Sequence, residues 1–119
     1  MSTDAVQPLL HQLHAMSREI VLSMVITEEG LDVAHYGNVS DPDHFSAYLF
    51  ELKLVSQKIL NELQLEGVEE IYIRSKSGCI SLLPIFEKGY LACLSTPTLG
   101  STKLMMYAYK YINRIYELI

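Results

Sequence analysis

The sequence is poor in the residues that staple small proteins together or make them reactive. It has two cysteines, Cys79 and Cys93, too few for a disulfide framework or a structural zinc site. Glycine is sparse as well. Gly78, Gly89 and Gly100 stand singly at turns or junctions, so no glycine-rich loop is present to cradle a phosphate. No apolar run approaches the ~20 residues that span a bilayer. The Met-Ser-Thr-Asp start lacks the basic-then-apolar order of a secretory signal. A soluble, cytoplasmic chain without membrane insertion is the expectation. The net charge is −5 with no basic cluster, which argues against a nucleic-acid partner held by its phosphates. No serine sits in a nucleophile-elbow pattern, and neither cysteine has a base close by in sequence. No catalytic residue, metal or cofactor is read from the chain.

What is present is a core. Of the 119 residues, 50% are hydrophobic and 19% charged, a balance that favours a packed interior over disorder. One domain over residues 1–119 is expected, with a radius of gyration of roughly 13–14 Å if compact. Val6, Leu9, Leu10, Leu13 and Met16 recur at helical spacing, and Asp4 favours the positive end of that helix. Residues 20–27 are apolar and β-branched almost throughout, a strand covered on both faces. Glu28-Glu29-Gly30 then turns the chain into a second strand over 31–36.

Asp41-Pro42-Asp43 is the clearest helix start, with Asp41 as cap and Pro42 at the first helical position. That helix is predicted to run to about Leu65 and to end before Gly67. Three strands follow over 68–75, 79–86 and 90–95, joined by Lys76-Ser77-Gly78 and Glu87-Lys88-Gly89. The second of these turns pairs Phe86 with Tyr90 and Cys93 with Leu83, which puts Cys79 out of register for a bond to Cys93. Pro84 must sit at a bulge or with its missing donor turned away from a partner. A last helix carries Leu104, Met105, Ala108, Tyr111, Ile112, Ile115 and Ile119 on one stripe, capped by Thr98 or Ser101. The order is α-β-β-α-β-β-β-α, an α+β chain with an antiparallel sheet in two meandering blocks.

The middle helix has two apolar faces. Phe45, Tyr48, Leu49, Leu52, Val55, Ile59, Leu60 and Leu63 cluster on a broad face that reads as the one covering the sheet. Ala47, Phe50, Leu54, Gln57 and Asn61 recur on the other side at alternating spacings of three and four, a seam for helix-on-helix packing. Glu51, Lys53, Lys58 and Glu62 flank it. Leaving Phe50 and Leu54 in water forgoes about 1.5–3 kcal/mol each, and the spacing favours a protein contact over two isolated exposed residues. The strand over 68–75, with Tyr72 and Arg74 on one of its faces, presents an edge that needs pairing or protection.

Other clusters have plainer explanations. His11 and His14 stand close enough to share a metal but lack a third ligand, and a solvated helix face accounts for them. Asp41, Asp43 and His44 are accounted for by the helix start. In the tyrosine-rich last helix, Tyr111 and Tyr107 read as core edge, and Tyr109 and Tyr116 as surface or contact residues.

Several local strings, in this order, resemble the roadblock family, named for a dynein light chain. They are Val25-Ile26-Thr27-Glu28-Glu29-Gly30-Leu31-Asp32-Val33-Ala34, Gly67-Val68-Glu69-Glu70-Ile71-Tyr72-Ile73, Gly78-Cys79-Ile80-Ser81-Leu82-Leu83-Pro84-Ile85, Tyr90-Leu91-Ala92-Cys93-Leu94, and Leu99-Gly100. The resemblance covers about 9–119 and includes the proline at Pro84. It departs where the family's junction glycine gives way to Ser17-Arg18-Glu19. It implies a three-layer α/β/α, profilin-like fold with a five-stranded antiparallel sheet, the middle helix on one face and the terminal helices on the other. It also implies a homodimer, or a heterodimer with a related roadblock chain, formed through the middle helix and third strand. The interface residues would be Ala47, Phe50, Leu54, Gln57, Asn61, Tyr72 and Arg74. The function implied is that of a non-enzymatic regulator or scaffold for a small Ras-like GTPase. With Arg18, Arg74 and Arg114 read at strand or helix positions, no arginine finger is expected. Any effect on hydrolysis would then act through the partner's own switch elements. The alternative is a small-molecule sensor with a pocket between sheet and helix, or a purely structural adaptor.

Overall fold

Eight elements follow one another in the expected order in a computed structural model that describes residues 3–119. They are α1 (Thr3–Met16), β1 (Ile20–Thr27), β2 (Asp32–Tyr36), α2 (Pro42–Glu62), β3 (Ile71–Arg74), β4 (Cys79–Ile85), β5 (Gly89–Ser95) and α3 (Ser101–Leu118). The strands form one antiparallel sheet in the order β2-β1-β5-β4-β3. Inward-pointing residues of β1, β4 and β5 divide between its two faces. Val25, Leu83, Leu91 and Cys93 meet Leu10 and Leu13 of α1 and Leu104 and Ile115 of α3. Met24, Ile26, Leu82 and Ala92 meet Leu49 of α2 on the other side. The radius of gyration is 13.5 Å, and no helix among the described residues is long and apolar enough to cross a membrane.

The junction that departs from the family pattern is held by serine. Ser17 Oγ accepts from the Glu19 amide at 3.1 Å, and the Ser17 carbonyl accepts from Ile20 at 3.2 Å. Helix α1 packs normally beyond it, burying Val6, Leu9, Leu10 and Leu13. Its His14 lies half-buried with Nε2 2.8 Å from Ser23 Oγ on β1 and its ring edge-on to Tyr36.

Helix α2 starts as expected, with the His44 amide donating to Asp41 Oδ1 at 3.1 Å and Pro42 in the first turn. It ends earlier than expected, at Glu62, because Gln64 adopts φ +59. The Leu65 amide then reaches back to Leu60 O at 2.8 Å and that of Gln64 to Asn61 O at 3.1 Å, a Schellman stop with glutamine in the usual glycine position. β3 is correspondingly shorter than 68–75 and begins at Ile71. Its last pair with β4 is Ile71↔Leu82, so no strand lies opposite Pro84 on that side and its missing donor goes unused.

The β4–β5 register also differs from the expected one. Phe86 takes φ +50 in the turn, so Pro84 pairs with Tyr90 and Cys93 with Ser81. Cys79 and Cys93 are both free and buried, and burial pushes the Cys93 thiol up to about 12. Helix α3 has Gly100 in the capping position with no side-chain cap, in place of Thr98 or Ser101. Three of its tyrosines fall as expected, with Tyr111 buried, Tyr107 half-buried and Tyr109 exposed, whereas Tyr116, expected at the surface, is half-buried and packs against the core.

Gly30 fixes how α2 lies on the sheet. It has φ +89, and a Cβ there would stand 2.6 Å from Phe50 Cβ. Gly30→Ala should lower unfolding stability by about 2 kcal/mol in a denaturant titration; an unchanged midpoint would show that the Phe50 contact does not constrain the helix. A second expectation concerns pH. Burial, with His11's charge second, holds His14 below its ordinary 6.5. The unfolded chain therefore takes up that proton first. The contribution is whole above pH 6.5 and is lost as pH falls through that value toward the depressed folded one. His14→Gln should flatten the fall in melting temperature between about pH 7.5 and about pH 5.5; an unaltered slope would remove His14 from the acid response.

Candidate protein interface

The two edges of the sheet are treated differently. On β2 the outward carbonyls are occupied by α1, since Thr3 Oγ1 donates to Val33 O and Gln7 Nε2 to His35 O, each at 2.7 Å. On β3 no side chain among the described residues covers the outward groups in this way. The Ser75 amide donates to Gly78 O at 2.8 Å. Alternation then sets the inward bonded pairs at Ile73↔Ile80 and Ile71↔Leu82. The main-chain N–H and C=O of Tyr72 and Arg74 therefore point away from β4, where no further strand follows.

The outer surface of α2 leads to this edge. Tyr48, Val55, Ile59 and Leu63 are 58%, 53%, 56% and 64% exposed. They recur, with half-buried Leu52 between the first two, along one flank of the helix. Ile59 lines two grooves. One is shared with Val55 and Leu63. The other, of about 650 Å³, lies against Leu60, Leu65, Ile71 and Tyr72. On β3 itself Ile73 is 45% exposed. The apolar flank of α2 thus reaches β3 through a groove that Ser56, Glu66, Glu69 and Glu70 also line, and contiguous exposed apolar surface marks interaction sites in soluble proteins.

This placement corrects the expected facing of α2. Of the residues assigned to cover the sheet, Leu49 is buried and Phe45, Leu52 and Leu60 half-buried, while Tyr48, Val55, Ile59 and Leu63 face outward. Ser46, Lys53 and Ser56 occupy the sheet side between them. The physical reason is the Gly30 notch, which draws Phe50 down onto the β1–β2 turn and rolls the helix. Phe50, expected on the side away from the sheet, is half-buried in consequence. Of the row that includes it, Ala47, Leu54 and Asn61 remain exposed, and Gln57 Nε2 donates to Asn61 Oδ1 at 2.9 Å. Phe50 and Ile59 lie half a turn apart around the helix. The structure accordingly brings Tyr72 together with Ile59 and Leu60, and sets Phe50 against the opposite end of the β1–β2 hairpin.

Other candidate groups are scattered. Arg18 stands in the short turn between α1 and β1, not on a strand or helix as expected. Arg74 is on β3, and Arg114 Nη1 on α3 donates to Gln12 Oε1 at 3.4 Å. The His11 ring lies tilted against Tyr36, 4.0 Å between ring centres. Among the described residues no three histidine, cysteine or carboxylate side chains come together as a metal site requires.

The model of the Roadblock/LC7 domain matches residues 7–95. The chain belongs to the Roadblock/LC7 family. No curated protein matches the sequence significantly. Among solved structures, MglB of Myxococcus xanthus superimposes with a TM-score of 0.86 at 5% identity, over 98% of this chain and 88% of that one. A Roadblock/LC7 domain from Streptomyces avermitilis gives 0.85 at 15% identity, over 95% and 98%. Profilin II of Acanthamoeba castellanii gives 0.63 at 11%, over 94% and 97%. At such identities the likeness is one of fold, and it places this roadblock chain in the profilin-like architecture that the sequence implies.

If the α2 belt is surface and not core, substitutions there should separate from those beneath the helix. Leu49→Ala should cost about 2–5 kcal/mol, whereas Ile59→Asp in dilute protein should change stability by no more than about 0.5 kcal/mol. Denaturant titrations at low concentration check this, and equal losses would place Ile59 in the core.

Proposed function

We propose that this roadblock domain is a non-enzymatic, cytoplasmic regulator or scaffold. It pairs with itself or with a related roadblock chain and serves a small Ras-like GTPase. The observation that carries the pairing is the apolar belt on α2, whose Ile59 shares a groove with Ile71 and Tyr72 of the sheet's open edge. Family membership supports the regulator or adaptor class. MglB, whose fold this chain shares, is known in a tetrameric arrangement, which supports association within this architecture. The GTPase rests on the family resemblance, and the surface of the paired α2 helices is where such a partner would dock.

The pairing surface proposed takes Tyr72 and Arg74 from β3 together with α2. Its helical part is either the row Ala47, Phe50, Leu54, Gln57 and Asn61 or the belt through Val55 and Ile59. The belt has the stronger support, because it adjoins the open strand. With arginines confined to a short turn, a strand and a helix, any stimulation of hydrolysis acts by arranging the partner's switch segments and not by inserting a finger.

Light scattering of the native chain should give a dimer mass. Ile59→Glu should reduce it to a monomer while the folded spectrum is kept, and Leu54→Glu tests the other flank in the same way. A GTPase should then be captured from the source organism's extract with a GTP analogue or GDP added. Preference for one nucleotide indicates regulation and equal capture indicates scaffolding. A native chain of monomer mass that captures no GTPase overturns the proposal.

A further inference from the structure

The segment Glu70-Ile71-Tyr72-Ile73-Arg74 has a property that a strand edge needs if it is to meet its own copy. Reversed about its centre, it is complementary to itself. Glu70 and Arg74 lie symmetrically about Tyr72, with an isoleucine on each side of the tyrosine. The outward main-chain groups of the strand belong to Tyr72 and Arg74, and Glu70 is the residue just before it. Tyr72 and Arg74 share one face of the sheet. Tyr72 and Arg74 line a groove with Lys103 and Met106 of α3. Burial, and then the charges of Glu70 and Glu69, raise the phenol of Tyr109 on the same helix. Ile71 packs with the α2-side core, and alternation puts Ile73 on that same face. The one ion pair among the described residues is His35 with Asp32. Glu70 and Arg74 are thus exposed and make no ion pair within the chain.

We infer that the open edge of β3 receives a second copy of this chain in a single register, with Tyr72 on the two-fold axis and Glu70 of each copy opposite Arg74 of the other. This rests on the pairing proposed above and names its partner. Each copy's Ile71 then faces Ile73 of its partner subunit on the α2 side, continuing the apolar belt across the junction. Directly opposed side chains of opposite charge stabilise an antiparallel pair and like charges destabilise it, and two-fold symmetry makes the favourable pair occur twice.

Neighbouring registers fit less well. Pairing about Arg74 sets arginine against arginine. Pairing about Ile73 replaces the Ile71–Ile73 contact by Ile71 against Ser75 and sends Glu70 toward Lys76, where the chain already turns back between Ser75 and Gly78. Registers between these would oppose outward groups with inward ones, which an antiparallel ladder does not allow.

Sedimentation of charge variants tests the register. Glu70→Arg and Arg74→Glu should each weaken self-association at least about tenfold, since each creates two like-charge pairs. Mixed together, the two variants should form a heterodimer of near-native affinity, and E70R/R74E in one chain should restore the homodimer. Both positions are exposed, and rescue on mixing shows that neither variant failed by misfolding. A native dimer that the single changes do not weaken, or that mixing does not restore, overturns the register and leaves the pairing standing. A native chain that stays monomeric overturns the pairing and the register with it.

Discussion

A five-stranded sheet has two faces and two edges to hide, and three helices are not enough to hide all four. Helices α1 and α3 together cover one face with a dense set of buried leucines and isoleucines. The other face has α2 alone, and only Ser46 and Leu49 of that helix are fully buried. Its outer flanks stay apolar because they are not needed inside. From this unequal cover follow the exposed belt, the half-covered isoleucines of β3 and the asymmetry between the edges. An edge strand left bare is a template for pairing with another chain. Here β2 is protected by α1 side chains that take up its carbonyls, and β3 is brief, flanked by Glu70 and ending in Arg74, and otherwise open. Protection at one edge and exposure at the other is what a defined dimer requires, since two open edges would permit endless addition.

The order of elements was legible because it depends on local chemistry. Turn glycines, the Asp41–Pro42 helix start and the alternation of apolar residues act within a few positions, and the structure follows them. The errors arose where a distant contact decided. The roll of α2 depends on Phe50 meeting Gly30, twenty positions earlier in sequence, and no helical wheel contains that glycine. The broad stripe through Tyr48, Val55, Ile59 and Leu63 looked like the sheet-facing side because apolar width was equated with burial. The nearer signal lay in Ser46, Lys53 and Ser56, small or amphipathic residues that a helix can lay against a sheet.

The two backbone surprises have a common cause. Gln64 and Phe86 both take positive φ, a conformation reserved in sequence reading for glycine. Each shifted a boundary, ending α2 early and sliding the β4–β5 register so that Cys93 faces Ser81 instead of Leu83. Both are held from outside. Gln64 is fixed by the Leu65–Leu60 and Gln64–Asn61 bonds. Phe86 is braced against Tyr116, whose ring also lies under the Lys88 ammonium and whose hydroxyl donates to Glu87 at 2.6 Å. That the third strand has an edge was expected from the sequence, whereas which of its residues turn their main-chain groups outward follows from the Ser75–Gly78 bond.

A strand edge and a helix flank contribute differently to recognition. Main-chain bonds along β3 are the same for any partner strand, so they supply affinity with little discrimination. Apolar burial along α2 in the proposed pairing would add affinity and tolerate related surfaces. Discrimination has to come from side chains that a wrong partner would leave mispaired. In the proposed dimer those would be Glu70 and Arg74, which flank Tyr72 at the centre of the junction, where a mismatch is least able to move out into water. In the proposed dimer the choice between self and relative would fall to the shortest strand of the sheet, and the part of α2 not buried between the copies would be the surface shown to a third protein.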